Sequence, residues 1–265
     1  MFDFRALRVE QEGAVDWLTL NRPNRLNAIT GIMTQELCQY FSALQDDYSR
    51  RVVILRGAGA NFCAGLDIKA QQENSEQASD VGPYRPAPSL STVVRLMRRC
   101  PQPIISLVRG AACGGGFALA LASDIRIAGA SARMNDAFIK IGISGCELGL
   151  SYFLPRTVGL SVASELMMTG RFIGAERARA VGLVSDVAPD EELDAVGRQL
   201  ASEMLRTTPL GLRKTKETLN LAMKLNELDA VIDLEEHTQL TCMESGDFKE
   251  ALTAFVEKRE PRFSH

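Results

Sequence analysis

Ile104-Ile-Ser-Leu-Val-Arg-Gly-Ala-Ala-Cys-Gly-Gly-Gly-Phe-Ala-Leu-Ala-Leu-Ala122 is the stretch that decides the fold class. Pro101 and Pro103 precede a short apolar run, Ile104–Val108, of the length expected for a strand buried on both faces. Arg109 and the glycines to Gly116 interrupt it, and the unbroken apolar run through Ala118–Ala122 then predicts a buried helix. Strand, glycine turn and helix form one unit. A similar unit stands upstream, where the strand Arg51–Gly57 (RVVILRG) leads into Asn61-Phe-Cys-Ala-Gly-Leu-Asp67. Asp124–Ala128 reads as a third strand.

Working outward, residues 4–10 and 14–20 predict a hairpin turning at Glu12-Gly13, and Thr30 predicts the N-cap of a helix running to about Tyr48. Together these give an α/β pattern through the first two thirds of the chain. From Gly159 on, helices are expected at Gly159–Thr169, Gly174–Val181, Asp190–Arg206, Pro209–Lys224, Glu227–Glu244 and Phe248–Lys258, with a short strand at Val184–Val187. The composition shift near residue 190 divides the chain into an α/β core, 1–189, and an α-helical C-terminal domain, 190–265. Residues 71–89 are polar and proline-rich, the composition of a lid, a binding loop or a disordered segment.

The bulk numbers exclude several function classes. The 265 residues are 46% apolar and 24% charged, with a net charge of −3, so the basic footprint of a nucleic-acid binder is missing. Arg95, Arg98 and Arg99 read as a solvated helix face. Cysteines at 38, 63, 100, 113, 146 and 242 form no C-x-x-C pair and no metal-ligand spacing with histidine. Scattered thiols and an N-terminus without a signal-peptide pattern give the expectation of a cytoplasmic protein. No apolar run reaches the length that spans a bilayer. The two histidines, His237 and His265, lie near the C-terminus and offer no triad imidazole, so proton transfer must rest on carboxylates, water and backbone groups.

The glycine turns suggest what those backbone groups do. A helix opening after a strand exposes unpaired N–H groups and a positive dipole end, and glycine lets a ligand approach the backbone closely. Two such turns side by side make an oxyanion hole. Taken singly they are ordinary turn formers. Gly110–Gly116 lacks the G-x-G-x-x-G order, and no phosphate-loop Lys-Ser/Thr follows. In Leu20-Asn-Arg-Pro-Asn-Arg-Leu-Asn-Ala28 two arginines flank a turn, either as phosphate contacts or as solvated loop charges.

The ordered set Asn21-Arg-Pro-x-x-x-Asn-Ala28, Phe62-Cys-Ala-Gly-x-Asp67, Gly110-x-x-x-Gly-Gly-Gly116 and Ser123-Asp-Ile-Arg126 resembles the crotonase superfamily, the enoyl-CoA hydratase/isomerase family. The resemblance continues through Leu154-Pro-Arg-x-x-Gly159, Leu166-x-x-Thr-Gly170, Ala178-x-x-x-Gly-Leu-Val184 and Phe255-x-Glu-Lys-Arg259, and so covers nearly the whole chain. It implies a spiral of repeated ββα units with a helical C-terminal trimerisation region, and a homotrimer or a dimer of trimers. It implies an acyl-CoA thioester substrate and no cofactor beyond the coenzyme A moiety of that substrate. The oxyanion-hole N–H groups would be those of Leu66 and Gly115. Arg22, Arg25, Ala28 and Ala64 would line the CoA site, and Phe255 and Lys258 match C-terminal positions that reach CoA, in some members from a neighbouring subunit.

The chain departs from the family pattern where a hydratase carries its two catalytic glutamates. Those positions are Ala118 and Phe138, and neither side chain moves a proton. Asp136 lies two residues from the second. Glu147, in Gly142-Ile-Ser-Gly-Cys-Glu-Leu-Gly149, falls in the segment where isomerase-type relatives carry an active-site carboxylate. One carboxylate suffices for a 1,3-proton shift next to a thioester carbonyl, in a pocket that Phe117, Phe138, Ile143 and Leu148 are expected to make apolar. The bland alternative for Glu147 is a carboxylate that stabilises the start of the following helix. Cys146 reads as a small buried residue, Asp67 as a helix cap and Asp124 as structural. Double-bond isomerisation through Glu147 is therefore the first expectation. Hydration with Glu147 or Asp136 positioning water, or acyl-CoA binding without turnover, are the alternatives.

Overall fold

The computed structural model describes residues 3–68 and 89–263; apart from Ser89, the expected 71–89 loop lies outside them. Two strands, β1 (Leu7–Glu12) and β2 (Val15–Leu20), form the hairpin, Leu7 pairing with Leu20 and Glu12 with Val15. Then follow α1 (Gly31–Ala43), β3 (Val52–Gly57), α2 (Leu90–Arg99), β4 (Ile104–Val108), β5 (Ala111–Cys113), α3 (Gly115–Ala122), β6 (Ile125–Gly129) and β7 (Arg133–Asn135). Last come α4 (Leu150–Thr169), β8 (Ile173–Gly174), α5 (Ala175–Ala180), β9 (Asp186–Ala188), α6 (Leu193–Leu205), α7 (Pro209–Ala222), α8 (Leu228–Met243) and α9 (Gly246–Glu257).

The main sheet has the order β1-β2-β3-β4-β6-β9, antiparallel only in its first pair. Its central strands β3 and β4 are mostly apolar because both faces are covered, and the period of two sorts the strands' side chains between the faces. Leu18, Leu20, Val53, Leu55, Ile104 and Val108 join the core shared with α1, α2 and α3. Val15, Trp17, Val52, Ile54, Ile105, Leu107 and Ile127 point the other way and pack with Leu193 and Ala201 of α6. Gly197 lets α6 approach closely: a Cβ there would lie 2.8 Å from Leu107 Cδ1. Packing therefore continues across residue 190, where the composition shift stands. Beyond α7, α8 buries no residue within the chain.

Some elements differ from the sequence reading. α1 stops at Ala43 rather than near Tyr48, and beyond it the Asp47 carboxylate accepts the Ser49 N–H in a separate turn. The helix expected from Gly159 begins at Leu150 and breaks at Gly159 (φ 77°, ψ 160°). A second sheet, β5-β7-β8, was not legible in its very short strands. The chain turns from β4 into β5 at Gly110 (φ +55°), where a Cβ would lie 2.2 Å from the Ala60 carbonyl oxygen.

Loops at the carboxyl ends of the adjacent parallel strands β3 and β4 meet, the usual place for a ligand site in a parallel sheet. Asn27 fastens the first of these loops to the segment before it. It is fully buried in a left-handed conformation (φ 55°), and its Nδ2 donates to the carbonyls of Ala58 and Asn61 at 2.9 and 2.7 Å. Its Oδ1 accepts the Arg22 N–H at 2.9 Å. Asn61 passes the tie on, its Oδ1 accepting the Ala111 N–H at 2.9 Å. Asn27→Ala strands three backbone groups, and we expect it to lower the unfolding free energy by roughly 2–4 kcal/mol in urea titration; a loss below about 0.5 kcal/mol would contradict this role.

Candidate active site

The two glycine turns are locked together by backbone hydrogen bonds. Cys63 N–H donates to Ala111 O and Cys113 N–H donates to Cys63 O, both at 2.9 Å. The next residues are held from the other side, Ile29 N–H donating to Gly65 O at 2.7 Å and Asp67 N–H to Ile29 O at 2.9 Å. Because N–H groups alternate in direction along extended chain, this leaves the Leu66 N–H facing away from Ile29. Gly114 (φ 47°, ψ −111°) caps α3, anchored by its own N–H on Asn135 O at 3.0 Å. Gly115 is then the first residue of α3, and its N–H has no acceptor inside the helix. Among the described residues, neither the Leu66 nor the Gly115 N–H donates to a partner within the chain.

Close approach sets the glycines. A Cβ on Gly65 (φ +92°) would lie 2.7 Å from Cys113 O and 3.6 Å from Gly115 N, so the two turns are in contact. A Cβ on Gly116 would lie 2.3 Å from Cys63 O. Around Gly115 the walls are apolar: a Cβ there would meet Leu90 Cδ2 at 2.9 Å, Ile29 Cδ1 at 3.2 Å and Leu148 Cδ1 at 3.9 Å.

Leu148 brings the Glu147 segment to the same place. Leu148 (φ 53°) and Gly149 (φ +85°) are successive left-handed residues that turn the chain into α4, and Leu150 N–H donates back to Glu147 O at 3.0 Å. Leu148 is buried against Gly115 and Glu147 is half-buried. Ala118 and Phe138 are both buried, as is Phe117, whereas Ile143 is exposed and does not join the expected apolar wall. Its segment follows the short 3-10 helix Ile139–Ile141 and the left-handed Gly142, which turn it outward.

Arg22 is committed to the loop itself. Its guanidinium donates to Ala28 O and pairs with Asp67 Oδ2 at 3.0 Å, so Asp67 is an ion-pair partner and not simply a cap. Arg25 is exposed and Ala28 and Ala64 are half-buried beside it in the chain fold, Ala64 N–H donating to Leu26 O at 3.0 Å. Phe255 and Lys258 stand at the end of α9, Phe255 being 83% exposed, and no hydrogen bond or ion pair among the described residues joins them to the glycine turns. Cys146 is exposed rather than buried. Asp124 accepts the Ile104 N–H at 2.8 Å and pairs with Arg98 and Lys216, so Arg98 is not on a solvated face.

Asp136 stands out among the buried groups. Its Oδ1 accepts the Phe138 N–H at 3.2 Å, while Oδ2 has no hydrogen-bond partner. Burial pushes its pKa from 3.8 up to about 6, against the lowering effect of that N–H. Native Asp136 thus binds its proton more tightly than the unfolded chain does. The resulting stabilisation is complete below about pH 4 and is lost as pH rises through about 6. Relative to Asp136→Asn, the unaltered protein should lose up to about 3 kcal/mol between about pH 4 and pH 7 in denaturant titrations; a pH-independent difference would show that Asp136 is not the titrating group.

A model of the enoyl-CoA hydratase/isomerase family matches residues 10–265. The chain belongs to that family. A probable enoyl-CoA hydratase of Mycobacterium tuberculosis (strain ATCC 25618 / H37Rv) is 39% identical over 253 residues, covering 93% of this chain and 88% of its own. The 1,2-epoxyphenylacetyl-CoA isomerase of Escherichia coli (strain K12) is 35% identical over 272 residues, covering 100% of this chain and 99% of its own. The crystal structure of an enoyl-CoA hydratase from Bacillus anthracis superposes with a TM-score of 0.89 at 30% identity, over 98% of this chain and 99% of that one. The fold is accordingly the crotonase-type α/β fold with C-terminal helices, and the chain is an enzyme of the hydratase/isomerase type.

Proposed function

We propose that this enzyme shifts the double bond of an enoyl-CoA thioester, with Glu147 moving the proton and the Leu66 and Gly115 N–H groups holding the thioester oxygen. One observation carries the reading. Leu148, which follows Glu147, packs on Gly115, while the two positions at which the family resemblance puts a hydratase's glutamates are the buried Ala118 and Phe138. The carboxylate takes the proton from the carbon next to the carbonyl of a 3-enoyl ester. The C–H electron pair enters the conjugated dienolate, and negative charge develops on the thioester oxygen between the two N–H groups. Each such donor is worth about 3–4 kcal/mol in the transition state. The Glu147 acid then returns the proton to carbon 4, giving the 2-enoyl ester with nothing gained or lost.

Coenzyme A enters as part of the substrate, along the Arg25, Ala28 and Ala64 side, with Arg22 bracing that loop through Asp67. We further propose that α7 to α9, which expose Leu228, Leu240, Phe255 and Val256, form the surface on which further copies assemble as a trimer or a dimer of trimers. In that assembly Phe255 and Lys258 reach the CoA of a neighbouring copy. The division at residue 190 then separates the part that builds the site from the part that assembles. The missing acids at 118 and 138 also favour a second reading, binding of acyl-CoA without turnover.

Glu147→Gln separates the two. We expect it to lower isomerase kcat by at least about 10³-fold while hexanoyl-CoA binding, measured by calorimetry, stays within about threefold. Turnover equal to that of the unaltered enzyme would remove Glu147 from the mechanism. Absence of isomerisation in the unaltered enzyme, with binding intact, would favour the second reading.

A further inference from the structure

Phe138 is fixed more firmly than a general core residue. Its N–H donates to Asp136 Oδ1 at 3.2 Å, and its carbonyl accepts the N–H groups of Ile141 and Ile143 at 3.1 and 3.3 Å. The ring is buried against the Gly114 turn: a Cβ on Gly114 would lie 3.7 Å from Phe138 Cε1 and Cζ and 3.5 Å from Ala137 Cβ. On the next residue, Gly115, the same construction meets Leu90, Ile29 and Leu148. The side chains found in this way at Gly114 and Gly115 are all hydrocarbon. A hydroxyl or a water placed against them would lose hydrogen bonds to solvent and find none to replace them.

We propose that Phe138 is a specificity-determining residue, its ring forming the wall against which carbons 2 to 4 of the acyl group lie, so that the enzyme selects a flat, unbranched hydrocarbon there and rejects a hydroxyl or a branch. This rests on the thioester site proposed above. It goes beyond that reading by assigning acyl discrimination to one side chain. The interaction is steric and desolvative, so it acts on binding as well as on turnover.

The test is calorimetric and needs no turnover. Free coenzyme A, butanoyl-CoA, 3-hydroxybutanoyl-CoA and 3-methylbutanoyl-CoA are titrated into the unaltered enzyme and into Phe138→Leu and Phe138→Gln. The unaltered enzyme should bind butanoyl-CoA roughly 10- to 100-fold more tightly than the hydroxylated ester, the ratio expected when a hydroxyl enters a site with no partner for it. Phe138→Gln, which supplies polar atoms at the wall, should reduce that ratio below about threefold, and Phe138→Leu should reduce discrimination against the branched ester while keeping that against the hydroxyl. Undiminished discrimination in both folded variants, with the ratio present in the unaltered enzyme, would overturn the role of Phe138 alone. No preference of the unaltered enzyme for butanoyl-CoA over free coenzyme A would overturn the thioester site itself, and the proposal with it. Phe138→Leu keeps the wall apolar, so its result stands even where the polar variant fails to fold.

Discussion

The site depends on two backbone hydrogen bonds, from Cys63 N–H to Ala111 O and from Cys113 N–H to Cys63 O. They join the loop that leaves β3 to the short strand that follows β4, and they do so where side chains cannot intervene. Gly65 and Gly116 have no Cβ because the space is filled by the carbonyls of Cys113 and Cys63. Once that pairing is made, the Leu66 and Gly115 N–H groups belong to one rigid unit rather than to two loops. Rigidity matters because preorganised donors need no rearrangement as charge develops. Asn27 and Asn61 extend the same unit by bonding backbone to backbone through buried amides.

On the proposed reading, the chemistry is decided by what surrounds the Leu66 and Gly115 N–H groups. Apolar side chains at 29, 90, 137, 138 and 148 surround the Gly114–Gly115 turn, and the Glu147 segment arrives through Leu148. In the proposed reaction a single carboxylate, Glu147, suits moving one proton between carbons of the same substrate. It suits adding water poorly, since water needs polar groups to hold and activate it. The relatives include a probable hydratase and an isomerase, so the family alone leaves the reaction open. The proposed reaction rests on the side chains at 118, 138 and 147.

Much of the fold was legible because the main-sheet strands are buried on both faces, and RVVILRG and IISLV carry that environment in their composition. The second sheet was hidden, since Ala111–Cys113 and Arg133–Asn135 are too short to show a period and lie beside glycine and turn residues. The start of α4 was obscured by Pro155, whose local preference is overridden by packing of Leu150 and Leu154, and by Gly159, which does break the helix. At the site, the glycines were readable because close approach demands them. The inward fold of Arg22 was not, because only the three-dimensional structure brings Asp67 beside it, 45 residues away in sequence. Sequence shows Asp136 only as a carboxylate near 138; its burial depends on the close approach of Gly145, where a Cβ would lie 2.5 Å from Oδ2, and of Gly170, where it would lie 2.9 Å from the Asp136 carbonyl oxygen.

The most direct test of the account is incubation of the purified enzyme with 3-enoyl-CoA esters in deuterated water, with products followed by mass spectrometry. Proton shuttling through an enolate held by two backbone N–H groups predicts 2-enoyl-CoA with no mass gain from added water, carrying deuterium to the extent that the Glu147 proton exchanges with solvent before it is returned. A 3-hydroxyacyl-CoA product without positional isomer would contradict it, because the site would then have added water rather than moved a proton.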